Sequence, residues 1–188
     1  MPKPKVVVVM PAYNAQHTLE KTWREVVAHD VVDLVIVVDD ASKDETMKLA
    51  QGLPKVIAHR HPSNLGYGGN QKTCYQLALD NGADIVVMVH PDYQYTPKLI
   101  PAMVGMISSG LYSCVLASRI LGGGALEGGM PMWRYVSNRF LTLFGNVLLG
   151  VFNSLDQFGG TYGIIQINAA PHELKVFGLR MDRPSDWL

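Results

Sequence analysis

His90 and Asp92, separated only by Pro91, follow directly on the apolar run Ile85-Val86-Val87-Met88-Val89. An imidazole and a carboxylate one residue apart at a strand end are two potential ligands for a divalent cation, with phosphate oxygens completing its shell. An ordinary Pro-Asp turn is the competing assignment. A second acidic pair, Asp39-Asp40, closes another apolar run ending in Val37-Val38. A carboxylate there can accept a hydrogen bond from a base N–H while its neighbour reaches a ribose or a metal, although both residues would also serve as turn and cap. Pro11-Ala12-Tyr13-Asn14 ends a third run, where backbone groups and Tyr13 can flank the same base. Three strand ends of this kind outline a pocket for a nucleotide, its phosphates and a cation.

Such residues meet only if their strands end at one edge of a sheet. Strands are predicted from Lys5 to Met10, Asp33 to Asp39, Val56 to His61 and Ile85 to Val89, with a short fifth from Cys114 to Ser118. The first, second and fourth of these runs are mostly Val and Ile, the pattern of strands buried on both faces. Helical spacing of Leu19, Trp23 and Val26 predicts a helix from about Gln16 to His29. Further helices are predicted up to Gln51, capped by Ser42 or Asp44 and stopped by Gly52, then over Asn70–Asp80, Pro97–Ser109 and Met132–Phe152. Strand alternating with helix through short loops is the pattern of parallel βαβ units, an α/β sheet with helices on both faces. In such a sheet ligands bind outside the carboxyl ends of the strands, where all three clusters fall. The Gly66-Tyr67-Gly68-Gly69 stretch lacks the Gly-Lys-Ser/Thr ending of a P-loop and reads as a tight loop before its helix.

A chain of 188 residues with 48% hydrophobic and 17% charged residues has the material for one globular domain. Sixteen basic side chains balance sixteen acidic ones, so no electrostatic footprint for nucleic acid is present. Cys74 and Cys114 belong to no C-x-x-C pair and read as buried thiols in a reducing compartment. No signal-peptide core follows Met1, and no apolar run reaches the ~18 residues of a membrane span. The expected location is cytoplasmic, including the cytosolic face of a membrane.

Three stretches, Val9-Met10-Pro11-Ala12-Tyr13-Asn14, Val37-Val38-Asp39-Asp40-Ala41-Ser42-Lys43-Asp44 and Asn64-Leu65-Gly66-Tyr67-Gly68-Gly69-Asn70, resemble in content, order and spacing the successive motifs of family 2 glycosyltransferases with the GT-A fold. Ser118-Arg119 with its Gly-rich sequel, and Met130-Pro131-Met132-Trp133-Arg134, are similar to segments of the dolichol- and polyprenyl-phosphate mannose or glucose synthases. The resemblance covers residues 5 to 152. It implies that Pro11, Tyr13, Asn14, Asp39, Asp40, Asn64 and Gly66 border a nucleotide-sugar site. Asp92 falls on the second acidic position of the family's Asp-x-Asp metal motif, and Gln94 on the polar residue beyond it. His90 replaces the first. Imidazole suits Mn²⁺ better than Mg²⁺, so either His90 joins Asp92 as a ligand, or Asp92 alone holds the ion while His90 serves the ribose or a neighbouring group. Arg119 and Arg134 fall where the family clamps phosphate, a task suited to the planar guanidinium fork.

What the resemblance implies is inverting transfer of a sugar from a nucleotide-diphospho-sugar to a polyprenyl phosphate, with Asp92 and Arg119 catalytic and Mg²⁺ or Mn²⁺ as cofactor. Two alternatives stand beside it: transfer to a hydroxyl acceptor, and an inactive nucleotide-sugar-binding domain. The apolar Met132–Phe152 helix, interrupted by Arg134, Asn138, Arg139 and Asn146, is expected to lie on a membrane surface or in a core. Residues 1–152 then form the transferase domain and 153–188 a divergent or truncated tail. Gly159-Gly160-Thr161-Tyr162-Gly163 breaks the expected Thr-Gly-Phe/Tyr-Arg pattern. Beyond Gly159 no periodicity predicts a helix or strand.

Overall fold

The computed structural model describes residues 3–92, 96–117, 131–149, 162–166, 174–176 and 179–181. Strand β1, Val6–Ala12, is buried along its whole length, as its unbroken apolar run requires. It pairs in parallel with β2, Leu34–Asp39, on one side and β4, Ile85–Met88, on the other. Strand β3, Val56–Arg60, extends the parallel sheet beyond β2. Helices α1 (Leu19–Val27), α2 (Thr46–Gly52), α3 (Gly66–Asp80) and α4 (Ile100–Ser108, entered through a 3-10 turn at Pro97–Leu99) form the crossovers. On one face, Val7, Val9, Ile36, Val38, Val86 and Met88 pack with Cys74, Tyr75 and Ala78 of α3. Their alternates Val6, Val8, Met10, Val35, Val37, Ile85 and Val87 are equally buried, so both faces are covered.

Two carboxylates fix the start of β1 at the edge opposite the proposed pocket. Asp33 Oδ2 accepts from Val6 N at 2.8 Å and Asp84 Oδ2 from Lys5 N at 2.7 Å. Each bond ties β1 to the approach of a neighbouring strand, which pins the register that brings Ala12 opposite Asp39.

Several elements differ from the sequence expectation. The buried stripe of α1 is Leu19, Thr22 and Val26, while Trp23 turns to the rim and donates its indole N–H to Pro54 O at 3.2 Å. Helix α3 begins at Gly66, four residues before the predicted start, so the Gly-Tyr-Gly-Gly stretch is its first turn rather than a loop. The tail is not without regular structure: β6, Tyr162–Gln166, pairs antiparallel with β4, and β7 (Leu174–Val176) and β8 (Leu179–Met181) form a two-stranded ladder. Strands this short owe their existence to the edge they pair with, which periodicity does not encode. With β5, Cys114–Ala117, the sheet order is β3-β2-β1-β4-β6-β5. Cys114, expected as a buried thiol, is exposed at the start of β5, whereas Cys74 is buried. The chain divides into two compact units, residues 1–115 with 164–188, and residues 116–163. Within the second, α5 spans Met132–Leu149 and exposes Trp133, Val136, Phe140, Phe144 and Leu148.

Candidate functional site

Strand β1 ends between the two acidic clusters. Ala12 is opposite Asp39 on one side, and Val9 is opposite Met88, two residues before His90, on the other. The loops that leave β1 and β2 are stitched together. Asn14 N donates to Ser42 Oγ at 2.8 Å, Lys43 N to Asn14 Oδ1 at 3.0 Å, and Ala15 N to Thr46 Oγ1 at 2.8 Å. Asn14 and Ala41 adopt left-handed φ values of 51° and 58°, a conformation that non-glycine residues hold when their surroundings impose it. Asp44, not Ser42, meets the start of α2: its Oδ1 accepts from Thr46 N at 3.0 Å. Burial pushes the Asp44 carboxyl up, but hydrogen bonds from Thr46 and Gln16 outweigh that and hold it below its usual value.

Asp39 is wholly buried, with Oδ1 accepting from Ser42 N at 3.1 Å. Its Oδ2 lies 3.4 Å from Arg60 Nε, but makes no hydrogen bond, so a buried acceptor position stays unused. Asp40 points the other way, into the body of the fold. Its Oδ1 accepts from His61 Nδ1 at 2.8 Å and from Leu65 N at 2.9 Å. Of the predicted pair, then, Asp39 is held by Ser42 N and faced by the Arg60 guanidinium, whereas Asp40 anchors the neighbouring loop. Pro11 is buried in β1, and Tyr13 stands half-exposed beyond it. Asn64 Oδ1 accepts from Gly66 N at 2.9 Å and so shapes the entry to α3, where Gly66 takes φ of 76°.

On the β4 side, Tyr67 of α3 reaches across to His90, with its hydroxyl 3.0 Å from Nε2. Burial lowers the His90 pKa, opposed in part by the charge of Asp92. The imidazole is therefore disposed to stay neutral, with Nε2 engaged by the phenol. Asp92 is exposed, and α1 supports its turn through Thr22 Oγ1, which donates to Pro91 O at 3.3 Å. Among the described residues no three His, Cys, Asp or Glu side chains converge as a metal site. The donor set fits a hard cation held by the Asp92 carboxylate and completed by diphosphate oxygens and water, which is how Mg²⁺ is commonly bound. Gln94 and Arg119 lie outside the described residues, as does the side chain of Arg134.

Two residues beside these carboxylates, Arg60 and His61, were not singled out from the sequence, whereas Asn70 closes the Asn64–Asn70 motif. Arg60 ends β3 and His61 follows it, beside Asp39 and Asp40, and Asn70 of α3 donates to Val38 O at 3.1 Å. The placement of Arg60 and His61 at the end of a predicted strand was visible; their partners Asp39 and Asp40, 21 positions away, were not.

The sequence profile of glycosyl transferase family 2 matches residues 7–165. The chain belongs to that family. The match runs past residue 152 to include most of β6, in keeping with its place in the sheet. This glycosyltransferase is 30% identical over 171 residues to UDP-N-acetylglucosamine–dolichyl-phosphate N-acetylglucosaminyltransferase of Methanococcus voltae, covering 82% of this chain and 67% of that one. It is 23% identical over 180 residues to dolichol-phosphate mannosyltransferase of Pyrococcus furiosus, covering 94% of this chain and 51% of the relative. The chain thus spans about half to two thirds of these relatives' lengths. Its GT-A fold is that of glucosyl-3-phosphoglycerate synthase from Mycobacterium tuberculosis, solved with Mn²⁺, uridine-diphosphate and glucosyl-3-phosphoglycerate. The TM-score is 0.58 at 23% identity, over 86% of this chain and 57% of that structure.

Proposed function

We propose that this glycosyltransferase moves a sugar from a nucleotide-diphospho-sugar to a polyprenyl phosphate, by in-line displacement with inversion at the anomeric carbon. The observation that carries the donor half is the placement of two carboxylates, buried Asp39 and exposed Asp92, at the same edge of the sheet on either side of β1. The first matches a base N–H, and the second matches a diphosphate-bound cation. A divalent cation at Asp92 would supply neutralisation of the charge that develops on the leaving diphosphate. Arg119 and Arg134 would add guanidinium donors to those phosphate oxygens.

The acceptor assignment draws on the names of the relatives, both of which act on dolichyl phosphates. A phosphate monoester is largely ionised at neutral pH, its second pKa being about 6, and so attacks without a protein base. Helix α5 supports the same reading: no helix among the described residues is long and apolar enough to cross a membrane, yet α5 presents Phe140, Phe144 and Leu148 to its surroundings. These can enter the acyl boundary and receive a prenyl chain. The test is incubation of the chain with polyprenyl phosphate in lipid extract, Mg²⁺ or Mn²⁺, and a panel of UDP- and GDP-sugars. A glycolipid formed from one donor supports the proposal. Transfer to a soluble hydroxyl acceptor alone, or tight nucleotide binding without any transfer, overturns it.

A further inference from the structure

The two halves of the donor site are joined through the interior of the fold. Asp40 is 3% exposed and His61 5%, and their contact at 2.8 Å is therefore shielded from water. Because an ionised carboxylate only accepts, His61 Nδ1 carries the proton of this bond. The other ring nitrogen, Nε2, lies 2.9 Å from Thr73 Oγ1 in α3. A chain of contacts thus runs from the end of β2, through the end of β3, into the second turn of α3. The same Asp40 oxygen also accepts from Leu65 N at 2.9 Å, directly before α3 begins. Gly69 lets this loop lie close on the helix, since a Cβ there would meet Leu65 Cβ at 2.8 Å. Two residues beyond Leu65 comes Tyr67, whose hydroxyl holds His90 Nε2 at 3.0 Å with the rings stacked. His90 is two positions from Asp92.

We propose that His61 is a positioning residue of the donor site: by holding the Asp40 carboxylate between β3 and α3, it places Leu65 and Tyr67, and through Tyr67 the His90–Asp92 turn. This rests on the donor-site reading given above. Both nitrogens of the buried His61 ring are engaged within the fold, by Asp40 and Thr73, so its role needs no contact of its own with nucleotide or cation. Its effect is to make the base side and the diphosphate side one rigid unit, with each half arriving already aligned to the other. Preorganisation of this kind strengthens binding by removing the ordering cost of the loop, with no contact of its own to the ligand.

The experiment is calorimetric titration of the full chain with UDP and with GDP, each with and without Mn²⁺. The variants are His61→Phe, His61→Asn, His61→Gln and Tyr67→Phe, with thermal melting as the check on folding. Asn places its amide nitrogen near the Nδ1 position and can still donate to Asp40; Gln reaches instead toward Thr73. The expected result is affinity in His61→Asn within about threefold of the unaltered chain, and a loss of about tenfold or more in His61→Gln and His61→Phe, the size of one charged-group hydrogen bond. The gain in affinity brought by Mn²⁺ should shrink in His61→Gln and in Tyr67→Phe, although neither change removes a metal ligand. Equal affinities in the Asn and Gln variants, or an undiminished Mn²⁺ gain in His61→Gln, overturns the proposal. If His61→Phe does not fold, the Asn–Gln pair decides. If the unaltered chain binds neither UDP nor GDP, the donor-site reading falls and this inference with it; normal binding with indifferent variants removes the positioning role alone.

Discussion

The hydroxyl of Tyr67, in the first turn of α3, lies 3.0 Å from Nε2 of His90, and their rings stack with centroids 5.4 Å apart. This contact occupies the imidazole nitrogen that projects furthest from the backbone. It leaves Asp92 as the protein's exposed anionic group at the end of β4. Where two carboxylates would share a cation, this chain offers one carboxylate and one imidazole committed to a neighbour.

Asp92→Ala should consequently remove the metal-dependent part of nucleotide binding while leaving the melting transition in place, because the side chain is exposed. His90→Asp should act in the opposite sense and lower the Mg²⁺ concentration needed for half-maximal UDP or GDP binding by about tenfold, equivalent to ~1.4 kcal/mol. Calorimetric titration measures both. Unchanged metal dependence in Asp92→Ala would take that residue out of the site.

Asp40→Ala strands the buried donor His61 Nδ1 and removes the part-buried bond from Leu65 N, and should cost roughly 2–4 kcal/mol of stability. Asp40→Asn retains an acceptor oxygen, so its stability loss should be much smaller, while nucleotide affinity falls with or without metal. Urea unfolding of the two variants makes the comparison. Equal destabilisation would show that the carboxylate charge, rather than its acceptor geometry, holds the loop.

Burial pushes the Cys74 thiol far above its ordinary pKa, and partial burial raises that of Cys114 at the exposed start of β5. A raised pKa means less thiolate, the reactive form, at neutral pH. Iodoacetamide at pH 8 should therefore label Cys114 alone in the folded chain, slowly and with a rate that climbs as pH rises, and should reach Cys74 only in urea. Intact-mass measurement over time reads this directly. Two adducts forming together under native conditions would contradict the burial of Cys74 between α3 and the sheet.

Phe140 and Phe144 stack on α5 with centroids 6.3 Å apart, and Leu148 follows one turn later, all exposed within their unit. Changing the three to Ser should abolish flotation with liposomes containing anionic lipid, since each buried apolar side chain contributes about 1.5–3 kcal/mol of transfer free energy. Identical flotation of the variant and the unaltered chain would remove the membrane role of this helix.

The strand runs, the crossover helices and the clustering of Pro11, Asp39, Asp40 and Asp92 at one sheet edge are determined by sequence alone. A strand buried on both faces must be continuously apolar, and a parallel sheet places every strand's carboxyl end on the same side. Motif order added the family. What tertiary structure decided is the use of each side chain. Nothing local to Asp40 distinguishes a ligand contact from an anchor; the choice was made by His61 and Leu65, 21 and 25 positions away, when β3 and α3 packed beside it. That same anchor explains why α3 starts at Gly66, since the loop before it is held by a carboxylate from another strand. The Tyr67–His90 contact likewise exists only because α3 lies across the end of β4. Strand β6 shows the limit from the other side: five residues without clear alternation become a strand because the free edge of β4 supplies hydrogen-bond partners, and a sheet edge is a property of the fold, not of the segment that joins it.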